Sequence, residues 1–260
     1  MTQLTWGDSG KHLYEVGIDR GVLYPETGPG VAWNGLISVN EAATSTENRS
    51  YYLDGVKYLQ VPTLDEFQAT LVAVHRPTEF AACDGVANGL NGLMITHQRR
   101  RPFGLSYRTL VGNDISGDAY GYRIHLIYNA LAIPSQRNYQ TKGSSVDPAT
   151  YSWEISAIAP PIPNYKPTPH LIFDSLTSPP DILAGLEAIL YGTDDDAPRL
   201  PLPAEIFDIG FGLIVTDNGD GTFTVTGSDD LITMLDSITF EITSPTAIFL
   251  DADTYTISSL

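Results

Sequence analysis

A single cysteine, Cys83, leaves this chain no internal disulfide and no multi-thiolate metal site. Basic side chains are scarce, 14 against 31 acidic ones, for a net charge of −17. That balance argues against a nucleic-acid binder, which needs a basic face to displace counterions from phosphates. No apolar run approaches the ~18–20 residues that a helix needs to cross a bilayer. The opening residues, Met1 to Asp8, carry neither a basic stretch nor an apolar one, so no signal peptide is expected and folding in a cytosol is. The five histidines (His12, His75, His97, His125, His170) show no paired ligand spacing, and no zinc site is read from them.

What remains is an ordinary globular composition over 260 residues, 42% apolar and 17% charged, enough for one large domain or two moderate ones. The charge is uneven. Residues 1–142 hold 12 basic and 13 acidic side chains, whereas residues 143–260 hold 2 and 18. Between Pro160 and Pro169 lie five prolines in ten residues, which forbid helix and central strand and favour an extended linker. These two features predict a first unit over 1–166 and an acidic second unit over 167–260.

The first unit reads as mainly β. Thr150 to Ala157 alternates polar and apolar at period two, and 67–74 and 122–128 read as more buried strands. Asp54-Gly55, between Tyr51-Tyr52-Leu53 and Val56-Lys57-Tyr58-Leu59, signals a hairpin because its turn wants positive φ twice. A short helical piece is expected around Pro77–Asp84. Residues 40–50 look like a polar loop without internal pattern. The second unit reads as small α+β: a short strand at Leu171-Ile172-Phe173, a helix opened by Pro179-Pro180 and stopped by Gly192, a hairpin over 213–226 and two closing strands.

Motifs with chemical overtones fail on spacing. Gly7-Asp8-Ser9-Gly10 has only eight residues before its serine, too few for the His and Asp of a trypsin-like order. Asp217-Asn218-Gly219-Asp220-Gly221 puts glycine where a calcium loop needs oxygen ligands, and reads as a turn. Asp194-Asp195-Asp196 reads as a solvated loop and Cys83 as a small buried residue. No catalytic, cofactor-binding or metal-ligating set is assigned. The run Arg99-Arg100-Arg101 stands out in a chain so poor in cations, and fits docking against an acidic surface, such as a second copy of this chain would offer. Assembly contacts are therefore expected at Arg99, Arg100 and Arg101 and, in the 40–50 segment, at Asn40, Glu41, Glu47 and Arg49.

Several strings resemble one family. Gly17 to Tyr24 (GIDRGVLY), Val31 to Leu36 (VAWNGL), Tyr51 to Leu59 (YYLDGVKYL), Glu79 to Gly85 and Ile124 to Ala132 are similar to major tail proteins of long-tailed bacteriophages, most like those infecting actinobacteria. The stretch Gln98-Arg99-Arg100-Arg101-Pro102-Phe103 through Thr109, with Val111 to Asp114, is the most distinctive. Ser152-Trp153-Glu154, Ile189 to Thr193, Arg199-Leu200-Pro201 and Asp217 to Thr222 extend the likeness almost end to end. The resemblance implies a tail tube protein: a β-sandwich or barrel with a flanking helix, closing into rings, usually hexameric, that stack into a hollow tube. It implies no enzymatic activity and no cofactor. Its implied partners are other copies of the chain, a tape-measure protein, tail-tip or baseplate and tail terminator proteins, and DNA in passage without specific binding. Its place would be the virion tail, assembled in host cytoplasm. An accessory tail adhesin is the alternative.

Overall fold

A computed structural model describes residues 6–44, 49–61, 66–134, 141, 148–163, 165–206, 214–217, 223–226, 232–234 and 240–242. The chain divides into two units, 1–201 and 202–260. The expected linker at 160–169 therefore lies inside the first unit.

The first unit is built on one antiparallel sheet. Its strands are β1 (Tyr14–Pro25), β2 (Val31–Ala32) and β3 (Leu36–Thr44). β6 (Glu66–Ala73), β9 (Phe103–Asn113), β10 (Gly117–Pro134), β11 (Tyr151–Ala157) and β12 (His170–Asp174) complete it. The order is β2-β1-β9-β10-β11-β6-β3, with β12 also on β10. Two ribbons stand apart: β4 (Arg49–Leu53) with β5 (Val56–Val61), and β7 (Ala87–Asn88) with β8 (Met94–Ile95).

β10 organises the sheet. One of its edges pairs with β9, and the other is shared, with β12 taking Arg123–Ile127 and β11 taking Ala130–Pro134. The join falls at Asn129, which has φ +48° and sits within a register shift against β9. Asparagine tolerates this left-handed conformation better than most residues, so a bulge here bends the strand without breaking it.

Residues from β1, β6, β9, β10 and β11 meet in one core on one face of the sheet. Leu23, Leu71, Leu105, Ile127, Ile155 and Trp153 are buried in one core cluster. A short 3-10 helix, η1 (Thr78–Ala81), inserts Phe80 into it. Phe80 meets Trp33, Trp153 and Phe103 at ring-centroid distances of 4.8, 5.1 and 5.2 Å. Such tilted and edge-on pairs add roughly 0.5–1.5 kcal/mol each beyond the area they bury.

The opposite face carries α1 (Pro180–Tyr191). Pro180 suits the first turn, where its missing N–H has no partner to lose, and Gly192 ends the helix at φ +80°. Leu183, Leu186 and Leu190 form its buried stripe. The Tyr24 hydroxyl donates to the Leu190 carbonyl at 2.9 Å and lies 3.1 Å from the Ser106 hydroxyl. Ser106 is paired with Leu126, so the face of β9 and β10 that bears Leu126 is the one facing the helix. This double cover explains why residues 124–128 of β10 are buried without alternation.

Two expectations change here. The strand and helix assigned to the second unit, β12 and α1, belong to the first, and α1 is its flanking helix. Backbone hydrogen bonds from Tyr128 to Pro169 at 2.9 Å and Gly30 to Pro198 at 2.6 Å fasten this stretch. The proline-rich segment is not the extended linker expected: it belongs to the first unit and folds back on itself, the Tyr165 N–H donating to the Ile162 carbonyl at 3.3 Å. Secondly, the polar loop at 40–50 is largely strand: 40–44 continue β3 and pair with β6 from Thr70 to Glu66, and Arg49 opens β4. An edge strand needs one partner only, so it can be polar where a central strand cannot.

In the second unit, β13 (Ile214–Asp217) pairs with β14 (Phe223–Thr226), as the expected hairpin requires, and β15 (Ile232–Met234) pairs with β16 (Phe240–Ile242).

Candidate assembly surfaces and a histidine–carboxylate cluster

The β4–β5 hairpin forms a sheet of its own and carries a run of exposed apolar side chains. Asp54 and Gly55 both have positive φ, +50° and +76°, the geometry of a tight two-residue turn whose twist matches its strands. Tyr51, Tyr52, Leu53, Val56, Tyr58 and Leu59 are all exposed, Val56 at 69% and Tyr58 at 73%. A contiguous exposed apolar set of this kind marks an interaction surface. The β7–β8 ribbon adds exposed Leu93, Met94 and Ile95. Among the described residues, the outer edges of β3 and β2 have no neighbouring strand within the sheet.

The arginine run lies between β8 and β9. Gln98 N–H donates to Gly85 at 2.9 Å and Arg101 N–H to Ala82 at 3.2 Å, so the backbone is tied to the end of η1. Arg99, Arg100 and Arg101 are exposed. Arg101 meets Glu26 at 2.9 Å, a pair open to water and worth about 0–1 kcal/mol.

The second group of expected contact residues splits. Asn40, on β3, is exposed, and its amide donates to the Ser38 hydroxyl at 3.3 Å. Glu47 lies outside the described residues, as does the Arg49 side chain. Glu41 is engaged inside the unit, in a cluster that the sequence did not disclose.

That cluster joins β3, β9, β10 and β12. Tyr107 donates its hydroxyl to Glu41 Oε1. His125 stacks on Tyr107 at 4.6 Å and on His170 at 5.3 Å between ring centroids. His125 Nδ1 lies 3.1 Å from His170 Nε2 and 3.5 Å from Glu41 Oε1, and His170 Nδ1 lies 3.6 Å from Glu41 Oε2. Behind them the Thr109 hydroxyl donates to Glu15 and sits 3.1 Å from His125 Nε2. Burial disfavours Glu41's charge, but the hydrogen bond from the Tyr107 hydroxyl and the two imidazoles beside it outweigh that effect, lowering the carboxyl to about 2. Burial lowers His170, against the attraction of Glu41. Burial and the bond to Glu41 raise Tyr107.

No spacing could have revealed this group, because its members come from four strands, β3, β9, β10 and β12, that meet only in the fold. Its one legible trace was a histidine inside the 122–128 segment and another just before Leu171-Ile172-Phe173. Cys83 is buried as expected, and burial, with the charge of Asp84, pushes its thiol up to about 11, too high for a nucleophile at neutral pH.

No protein-family model matches the chain. No curated protein matches it. Among solved structures, it is similar to a chain in the sheath–tube complex of an extracellular contractile injection system (PVC) in the extended state, at 12% identity over 60% of this chain and 88% of that one, with a TM-score of 0.35. It is also similar to the tube-terminating cap of the anti-feeding prophage, at 10% identity, 67% and 97% coverage and a TM-score of 0.35. A chain in the PVC sheath/tube terminator structure gives 13% identity, 62% and 97% coverage and a TM-score of 0.34. Likeness at this level leaves fold and function to be argued from the chain itself.

Proposed function

We propose that this chain is a structural tail protein that polymerises through ring and stacking contacts into a tail tube, and that it has no enzymatic role. The observation that carries the reading is the β4–β5 hairpin, whose exposed tyrosines, leucines and valines fall in the same string, Tyr51 to Leu59, that resembles the phage tail proteins. Sheet edges at β3 and β2 that lack a partner among the described residues favour strand addition between copies. Ring closure would remove those edges, which makes a closed assembly the economical state of such a fold. Hexameric rings, a tape-measure protein inside the tube, terminator and tip proteins at its ends, DNA passage and a place in a long-tailed virion all belong to this proposal. So does an external position for the acidic C-terminal residues, since like charges are better hydrated outside a narrow tube than inside it. The exposed arginines and Asn40 are its candidate contact residues, with Glu47 and Arg49.

Sedimentation of the paired variant Tyr52→Ser/Tyr58→Ser tests the reading. Both side chains are exposed in the isolated subunit, so its fold and Tm should stay as in wild type while large assemblies disappear. Assemblies of unchanged size would remove the hairpin from the contact. An accessory adhesin, the alternative, would give small closed oligomers in wild type.

A further inference from the structure

We propose that Glu41, His125 and His170 form a binding site for a divalent transition ion of the zinc class, coordinated by Glu41 Oε1, His125 Nδ1 and His170 Nε2. The ligand atoms these three residues can offer lie within 4.8 Å of one another. Tetrahedral zinc holds ligands at ~2.0–2.1 Å, which places neighbouring ligand atoms about 3.3 Å apart. The separations of 3.1 Å between the two imidazole nitrogens and 3.5 Å between His125 Nδ1 and Glu41 Oε1 bracket that value.

The hydrogen-bond network sets the ring in the form a metal needs. Thr109 has one hydroxyl proton, and it goes to Glu15. At the 3.1 Å contact the Thr109 oxygen must then accept, so His125 Nε2 carries the proton and donates it. In the neutral ring Nδ1 is left as a lone pair, 3.1 Å from His170 Nε2 and 3.5 Å from Glu41 Oε1. The carboxylate oxygen is itself an acceptor and already receives the Tyr107 hydroxyl. Two lone-pair atoms therefore face each other, with one imidazole N–H at most to share between them. A cation at their centre satisfies all three atoms. The Thr109–Glu15 pair behind His125 is the outer support that metal-bound imidazoles commonly have.

Access and charge agree with this assignment. The His125 and His170 side chains are 8% and 12% exposed and Glu41 is 36% exposed, so the imidazoles are shielded while the carboxylate side admits an ion. Three protein ligands leave one position for water. Two imidazoles and a carboxylate suit zinc and its neighbours rather than calcium or magnesium, which prefer all-oxygen sets. The ion would tie the edge strand β3 to β10 and β12, so its expected role is to hold the sheet closed.

The test uses the full chain without a histidine tag, stripped with chelator and titrated with Zn²⁺ by calorimetry. Co²⁺ serves as a spectroscopic probe. The proposal expects one zinc per chain with a Kd in the micromolar range or tighter. It also expects the intense visible absorption of four-coordinate Co²⁺, and a Tm raised by about 5 °C at a hundredfold excess over Kd. His170→Gln and Glu41→Gln should each weaken zinc binding at least tenfold and abolish the cobalt spectrum. Glu41→Gln changes a partly exposed group, and so retains a folded variant if His170→Gln fails to fold. Absence of stoichiometric zinc binding in the wild type overturns the proposal, and so does binding that both substitutions leave unchanged. The failure would assign the imidazole pair to proton sharing alone.

Discussion

Asp19 and Arg108 form a two-pronged ion pair across β1 and β9, with Nε to Oδ1 at 2.7 Å and Nη2 to Oδ2 at 2.6 Å. They are also register partners, standing alone between two shifts in the pairing of these strands. The pair therefore pins the ladder where the backbone pairing is interrupted. Arg108 in turn lies over the Tyr122 ring, its guanidinium carbon 4.8 Å from the centroid.

This geometry gives a pH dependence of known sign. The hydrogen bonds from Arg108, against an opposing effect of burial, hold the Asp19 carboxyl below its ordinary range. A carboxyl lowered on folding contributes stability above its unfolded value, about 3.9, and that contribution is lost as pH falls through the lower folded value. Asp19→Asn should accordingly lower Tm at pH 7, and the gap from wild type should narrow below about pH 4. A gap of the same size at pH 7 and pH 3 would show that the pair's charge contributes nothing.

The position of β12 and α1 predicts how the chain tolerates truncation. Removal of 202–260 should leave a folded first unit with a cooperative melt. Removal of 167–260 also takes away the strand paired with Arg123–Ile127 and the helix over Ser106 and Leu126. It should give an unfolded or aggregating product. Far-UV circular dichroism and melting of the two fragments distinguish these outcomes, and a well-folded 1–166 fragment would contradict the assignment of α1 to the first unit.

For the arginine run, Arg99→Ala/Arg100→Ala should leave the subunit's Tm within about 1 °C, since exposed charges away from special features contribute little. Assemblies should be shortened or absent, and wild-type assemblies should weaken in high salt. Assemblies of normal length at all salt concentrations would reduce the run to a solvated turn. Arg101 is left unchanged in this variant because it already meets Glu26.

Much of the fold was legible because it is written locally. The Asp54-Gly55 turn, the alternation in 151–157 and the Pro180-to-Gly192 helix each follow from a few neighbouring residues, and each is found at its place. The 40–44 segment was not legible, since an edge strand with a polar outer face carries no hydrophobic period. The domain seam was misplaced for a related reason. Five prolines forbid regular structure but not packing, and the contacts that hold 160–201 to the sheet are all long-range. The cluster of Glu41, His125 and His170 was the least accessible, because it exists only once β3, β10 and β12 are brought together. Histidines at positions 125 and 170 have no spacing that would announce a pair.

The central claim is that this chain builds a tube, and electron microscopy of the purified full-length protein tests it most directly. The account predicts rings and long hollow polymers of one uniform width, lost when Tyr52 and Tyr58 are both replaced by serine. Monomers or small closed oligomers at every concentration and salt condition tried would contradict it.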